Sequence, residues 1–349
     1  MTAVATADLR PSADPPGDVL VSVEGLTRHF AVGHRRSGHL VRAVDDVSFT
    51  LTRGETLGLV GESGSGKSTL ARLLLRLDVP TSGHVVFDGS DVFASTPAEL
   101  RRLRREMQIV FQDPYASLNQ RKRVEQIVSF PLRVHERSLD RAARSARVRE
   151  LIELVGLRPD HARAYPRQLS GGQCQRVSIA RALALGPKLV VLDEAVSAVD
   201  VSIQAQILNL LKELQSRLGL TYLFVSHDLA VVRYMASSIA VMYLGRIVEI
   251  GTRAQLFDTP RHPYTHALMA SIPAEPGAPA TPPLVLRDAN IPESLPTGCR
   301  FHPRCPLGAR ELCHTVEPPL REVSAGHRVA CHFPQSSDSV LAEAVRDAT

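Results

Sequence analysis

The chain has 349 residues, 44% of them hydrophobic and 22% charged, the composition of an ordinary globular protein long enough for one α/β core plus an appended module. Its apolar runs, such as Leu189–Leu192 and Ile239–Leu244, fall far short of the roughly 20 residues that a bilayer-spanning helix needs, and the opening stretch MTAVATADLRPSADPPGD has no apolar region of the kind a secretion signal carries. The formal charge of +5 is dispersed among acidic neighbours, so the Arg101–Arg105 and Arg141–Arg149 clusters are read as solvated helix faces, and no nucleic-acid partner is expected.

In chain order, residues 1–18 are expected to be a frayed tail. Val19–Phe30 and Ala43–Leu51 alternate apolar and polar residues, the pattern of half-exposed antiparallel strands, with a Gly- and Arg-containing loop between them. Leu57–Val60 is a short buried strand entering a Gly-rich turn, and Ser68–Leu77 continues as a helix. From Pro97 to Leu157 the pattern is helical and Arg-rich, which predicts an inserted helical subdomain, placed at about residues 113–187. Leu189–Leu192 and Tyr222–Val225 read as buried strands with the helix Ile203–Leu218 between them, the alternation of a parallel sheet with crossover helices. After about Pro260 the character changes. Residues 261–335 are read as an extension containing a Pro/Ala linker at Pro273–Pro283 and a Cys- and His-containing stretch from Pro296 to Phe333, and residues 336–349 as a flexible end.

Gly61-Glu62-Ser63-Gly64-Ser65-Gly66-Lys67-Ser68-Thr69 matches G-x-x-x-x-G-K-S/T between a predicted strand and a predicted helix. Gly61, Gly64 and Gly66, with Ser63 and Thr69, let successive backbone N–H groups converge on phosphate oxygens at a helix N-terminus. Lys67 brings positive charge to the β- and γ-phosphates of ATP, and the Ser68 hydroxyl is placed for Mg²⁺. The strand Leu189–Leu192 ends in Asp193 and Glu194. Asp193 is expected to hold Mg²⁺ through water and Glu194 to act as general base on the attacking water. Two acids after a strand can also be a plain helix N-terminal charge pair; beside the cradle the catalytic reading is preferred.

Leu169-Ser170-Gly171-Gly172-Gln173 opens another helical pattern, and Ser170, Gly171, Gly172 and Gln173 form a second anion site at a helix start. One nucleotide needs one cradle, so the second is expected to serve the nucleotide of another subunit. Together these strings resemble the ATP-binding cassette (ABC) ATPases, over roughly residues 19–270. The resemblance implies a P-loop α/β core over residues 19–260: a mixed, largely parallel sheet with helices, an antiparallel β subdomain and an inserted helical subdomain. It also carries roles onto further positions. Phe30 resembles the aromatic residue that stacks on adenine. Gln112 resembles the glutamine that senses the γ-phosphate, stands with Ser68 and Asp193 around Mg²⁺, and contacts the membrane partner. Asp200 resembles the aspartate that communicates across the dimer, and His227 the switch histidine, so Glu194, His227, Lys67 and Gln112 form the implied catalytic set. Cys174, Ala195 and Val199 depart from the usual polar residue, Pro and Leu without removing a charge or hydroxyl from the reaction.

The wider resemblance, through QDPYASLN from Gln112, DVSIQAQILNLLKELQ from Asp200 and HPYT from His262, is to the oligopeptide and dipeptide permease ATPases, closer to the second of their two paired subunits. It implies a sister ATPase subunit in a heterodimer, two transmembrane permease subunits, an extracytoplasmic solute-binding protein, and a peripheral place on the cytoplasmic membrane face. The function so implied is ATP hydrolysis that powers peptide import; import of nickel or another solute, or a soluble ABC ATPase acting on nucleic acid, are the alternatives. Cys299, Cys305, Cys313 and Cys331 are spaced C-x5-C-x7-C-x17-C, without the paired knuckles of common zinc sites. Resemblance to related permease ATPases implies a 4Fe–4S cluster on these four; zinc with histidine help and unligated thiols are the other readings.

Overall fold

The computed structural model describes residues 18–32, 39–197, 199–271, 295–307 and 310–334. The expected tail through residue 17, the Pro/Ala linker and the flexible end at 336–349 lie outside the described residues. In chain order the strands are β1 Val19–Val32, β2 His39–Thr52, β3 Thr56–Val60, β4 Ser82–Phe87, β5 Ser90–Asp91, β6 Met107–Val110, β7 Leu189–Asp193, β8 Thr221–Val225, β9 Ser238–Tyr243, β10 Arg246–Thr252, β11 Arg321–Ser324 and β12 His327–Val329.

β2, β1, β4 and β5 make an antiparallel sheet, and the other eight form a mixed sheet in the order β11-β12-β10-β9-β3-β8-β7-β6. β3, β7 and β8 are buried along their whole length, which is why TLGLV, LVVLD and TYLFV are nearly continuous apolar runs rather than alternating ones. Their side chains still alternate between faces. Val190, Leu192, Tyr222 and Phe224 join a core shared with the helices Val124–His135, Arg141–Leu154, Gly171–Leu183 and Val201–Leu218. Leu189, Val191, Leu223 and Val225 join a second core with β1, β2, β4 and the helix Lys67–Leu74.

The expected helical run from Pro97 is interrupted. The helix Pro97–Glu106, opened by a capping box between Thr96 and Glu99, passes directly into β6, which pairs parallel with β7 from Met107↔Leu189 to Val110↔Leu192. No Gly or Pro marks that boundary, and four residues are too short for a strand period to stand out from a helical one.

The C-terminal region is joined to the main sheet rather than appended beside it. β12 pairs antiparallel with β10 through Glu249↔Val329 and Ile250↔Arg328, covering the edge that β10 would otherwise leave open. At this seam the Glu249 carboxylate is fully buried. It accepts from the backbone N–H groups of Arg261 (2.8 Å) and His262 (2.9 Å) and faces His327 Nε2 at 2.7 Å.

Candidate active site

The loop from Gly61 to Gly66 leaves the C-terminal end of β3 and enters the helix Lys67–Leu74, the place where open parallel sheets bind ligands. Two of its glycines are dictated by close backbone approach. A Cβ on Gly61 would stand 2.1 Å from the Met242 carbonyl oxygen, and one on Gly66, whose φ is +104°, 1.9 Å from that of Ala43. Lys67 Nζ donates to the carbonyls of Gly61 and Glu62, both at 2.8 Å, and to Ser65 Oγ at 3.3 Å. Burial pulls its pKa down, opposed by the charges of Glu194, Asp193 and Glu62.

β7 delivers the acids to the same place. Ser68 Oγ donates to Asp193 Oδ1 at 3.0 Å. Burial raises the pKa of Asp193; the Ser68 hydrogen bond works against that, and the neighbouring Glu194 charge works with it. Glu194 has a left-handed backbone (φ +49°), a strained conformation that aims the carboxylate out of line with the strand. Gln112 Nε2 donates to Glu194 Oε2 at 2.7 Å, and His227 Nδ1 lies 3.2 Å from Glu194 Oε1. Gln112 follows β6 by two residues and His227 follows β8 by two, so the crossover topology brings three strand ends onto one carboxylate.

One cavity of about 1190 Å³ receives these groups, larger than the roughly 300–1,000 Å³ of an ordinary small-ligand cleft. Ser63, Gly64, Gly66, Lys67, Ser68, Thr69, Gln112, Glu194 and His227 line it. Gly61 and Asp193 do not line it but touch residues that do, through Lys67 and Ser68, so the expected set is brought together except for Phe30, Ser170, Gly171, Gly172, Gln173 and Asp200, which do not line this cavity. Phe30 sits on β1 opposite Val41, with the Arg28 guanidinium 4.4 Å from its ring centroid. Ser170 and Gln173 close a capping box on their own helix (Gln173 N–H to Ser170 Oγ 3.3 Å, Ser170 N–H to Gln173 Oε1 3.0 Å), and Ser170 and Asp200 are exposed.

Sequence reasoning missed the contribution of the C-terminal region. Leu295–Gly298, Arg300 and Glu317 line the same cavity. Arg304 forks onto Glu62, Nη1 to Oε2 at 2.8 Å and Nη2 to Oε1 at 3.0 Å, and the Tyr264 hydroxyl accepts from the Glu62 N–H at 3.0 Å. Contacts spanning more than 200 residues leave no local signal.

The donors fit Mg²⁺: a hydroxyl (Ser68), a carboxylate (Asp193) and an amide oxygen within reach (Gln112) are hard oxygen ligands, and a cation that shares its shell with phosphates needs few from the protein. The four tail cysteines are different. Cys299, Cys305, Cys313 and Cys331 converge on one small cavity with His302 and His332, but that cavity encloses about 10 Å³, the room of about one water. Among the described residues no three His, Cys, Asp or Glu side chains come together as a metal-holding group. Burial pushes the Cys305 and Cys331 thiols up to about 12. As arranged, these residues do not fit the expected 4Fe–4S cluster or zinc ion. Cys174 is fully buried on the helix Gly171–Leu183, its Sγ 3.3 Å from the Pro166 carbonyl oxygen.

Comparison with known proteins agrees with this geometry. Residues 44–197 match the family described as ABC transporter, and residues 248–313 match the oligopeptide/dipeptide transporter C-terminal region. The chain is similar to a probable peptide ABC transporter ATP-binding protein of Sinorhizobium fredii (51% identical over 319 residues, 90% of each chain). It is also similar to a putative peptide import ATP-binding protein of Brucella abortus (50% identical over 340 residues, 95% of this chain and 100% of that one). A dimeric ATP-binding cassette solved in a post-hydrolysis state with ADP and Pi superposes with a TM-score of 0.61 at 31% identity, over 67% of this chain and 98% of that one.

Proposed function

The chain belongs to the ABC transporter family as one of its ATP-binding proteins, and from that premise we propose that it hydrolyses ATP to drive peptide import. The observation that carries the chemistry is the convergence of Gln112 and His227 on the Glu194 carboxylate beside the Lys67–Ser68 cradle. The substrate class rests on the peptide-import relatives and on the match of residues 248–313 to the oligopeptide/dipeptide region.

In this reading ATP lies with its phosphates on the Ser63–Thr69 cradle. Lys67 leaves the loop carbonyls it bonds in the free site for the β- and γ-phosphates, where its charge opposes theirs as the γ-phosphoryl transfers. Ser68, Asp193 and Gln112 hold Mg²⁺, which when bound neutralises phosphate charge. Glu194 takes the proton of the attacking water, while Gln112 and His227 fix the orientation of its carboxylate through the bonds already present. A second chain completes each site: Ser170–Gln173 lies outside the cavity, with Ser170 exposed at the helix start, as suits a cradle for the nucleotide held by a sister ATPase subunit. The same reading assigns residues 19–260 to the nucleotide-binding domain, with about 113–187 as its helical subdomain, and residues 261–335 to the extension.

No helix among the described residues is long and apolar enough to cross a membrane, so coupling to transport goes through two permease subunits, with Gln112 at their contact and a solute-binding protein on the far side. The chain then works as a peripheral subunit at the cytoplasmic face. No step is drawn through a metal at the four-cysteine site.

Replacing the general base while keeping its shape tests the assignment. Glu194→Gln is expected to bind ATP, to lose roughly 100-fold or more of turnover, and to accumulate as an ATP-bound dimer in light scattering. Turnover within twofold of the unmodified chain would overturn the role of Glu194.

A further inference from the structure

Resting on the nucleotide reading above, we propose that Tyr264 is a positioning residue for Lys67: its hydroxyl fixes the peptide group whose carbonyl holds the Lys67 ammonium in the cradle. The string His262-Pro263-Tyr264-Thr265 opens the helix Pro263–Ala270. Tyr264 is fully buried and reaches back 202 residues to the phosphate loop, where its oxygen accepts from the Glu62 N–H at 3.0 Å.

That N–H belongs to the planar peptide unit joining Gly61 to Glu62. At the other end of the same unit is the Gly61 carbonyl, which accepts from Lys67 Nζ at 2.8 Å. The direction of one end dictates that of the other, and Gly61 has no Cβ to restrict rotation on its side. The group that holds this N–H must accept a hydrogen bond without placing negative charge beside a triphosphate. A phenol does so: burial raises the Tyr264 pKa, and the oxygen stays a neutral hydroxyl.

Tyr264 is itself held from behind. Its backbone N–H donates to His262 Nδ1 at 3.1 Å, and burial pushes the His262 ring down to about 4, which keeps it neutral and accepting. The His262 N–H in turn donates to the Glu249 carboxylate at 2.9 Å. The Tyr264 ring packs against Tyr243 of β9, with centroids 4.7 Å apart, and against Phe301 of the C-terminal region at 5.4 Å. Ring and hydroxyl thus have separable tasks. The ring joins the C-terminal region to the main sheet, and the oxygen orients the loop.

Tyr264→Phe keeps the ring and deletes the oxygen, leaving the Glu62 N–H without its acceptor and the Gly61–Glu62 peptide free to turn. In the full chain carrying Glu194→Gln, this substitution is expected to raise the Kd for ATP about tenfold, and that for inorganic triphosphate equally, both with Mg²⁺, through lost preorganisation of the cradle. With Glu194 intact, the loss is expected in KM rather than in kcat. Phe301→Leu loosens the same aromatic packing but has no polar atom to give the loop. It is expected to lower the urea midpoint and to leave both Kd values within about twofold. An unchanged Kd in Tyr264→Phe, or an equal weakening in Phe301→Leu, would overturn the proposal while leaving the nucleotide reading intact. Failure of the Glu194→Gln chain to bind either ligand would overturn both.

Discussion

Arg304 and Glu62 meet across 242 residues, and their pairing bears on the cradle more than on stability. Glu62 is the first variable position of the phosphate loop; its backbone N–H is fixed by Tyr264 and its carbonyl accepts from Lys67. The bidentate fork therefore fixes a loop residue whose carbonyl, with that of Gly61, sets where Lys67 rests. Glu62 is about one-third exposed, so the pair contributes on the order of 1 kcal/mol. Arg304→Glu is expected to raise the KM for ATP about fivefold with kcat nearly unchanged, because the reacting groups Glu194, Gln112 and His227 are untouched. Arg304→Lys keeps the charge but loses the fork, giving an intermediate KM. Combining Glu62→Arg with Arg304→Glu should recover most of the loss. A fall in kcat with KM constant would place Arg304 elsewhere in the cycle.

Among the elements, β3 sets how closely the helix Leu229–Met235 approaches the sheet. Gly58 has no side chain, and a Cβ there would lie 2.6 Å from Val232 Cγ1 and 3.0 Å from the Ala236 Cβ. Gly58→Ala is expected to cost roughly 1–3 kcal/mol by overpacking, seen as a lower urea midpoint; an unchanged midpoint would show that the helix can retreat freely. The helix begins at Asp228, whose carboxylate accepts from the N–H groups of Ala230 (2.9 Å) and Val231 (3.2 Å), directly after His227, so such a shift would move the site as well. Elements of this kind were legible wherever their signals are local. The cradle, the apolar runs of β3, β7 and β8, and the two acids ending β7 each carry their pattern within a few residues. β6 was not, because the helix before it ends without a breaker. The pairing of β12 with β10 and the cavity wall at Leu295–Gly298 were not, because both are decided by contacts distant in sequence.

At the scale of the whole molecule, Asp45 gathers charges from β1, β10 and the C-terminal region onto one carboxylate. It lies on β2, nine-tenths buried, and its carboxylate is paired with Arg300 of the C-terminal region, with His29 Nε2 of β1 at 3.1 Å, with Arg42 at 3.5 Å and with Arg246 of β10 at 3.6 Å. Burial by itself would raise its pKa, but the Arg300 hydrogen bond and charge, followed by His29 and Arg246, more than reverse this and bring it from 3.8 to about 2. A carboxylate depressed in the folded state contributes stability in full above its unfolded pKa and loses it as pH falls toward the folded value. The contribution is on the order of 2 kcal/mol, and its window is pH 4 down to 2. Asp45→Asn removes the titrating group while keeping the shape. It is expected to be less stable than the unmodified chain by about that amount at pH 7, with the gap in urea midpoints closing between pH 4 and pH 2. A gap constant over that window would mean that Asp45 acts through packing alone. Because Arg300 and Glu317 line the nucleotide cavity beside this cluster, the loosened junction should also make nucleotide binding weaker in Asp45→Asn at neutral pH, linking the cohesion of the C-terminal region to the site it encloses.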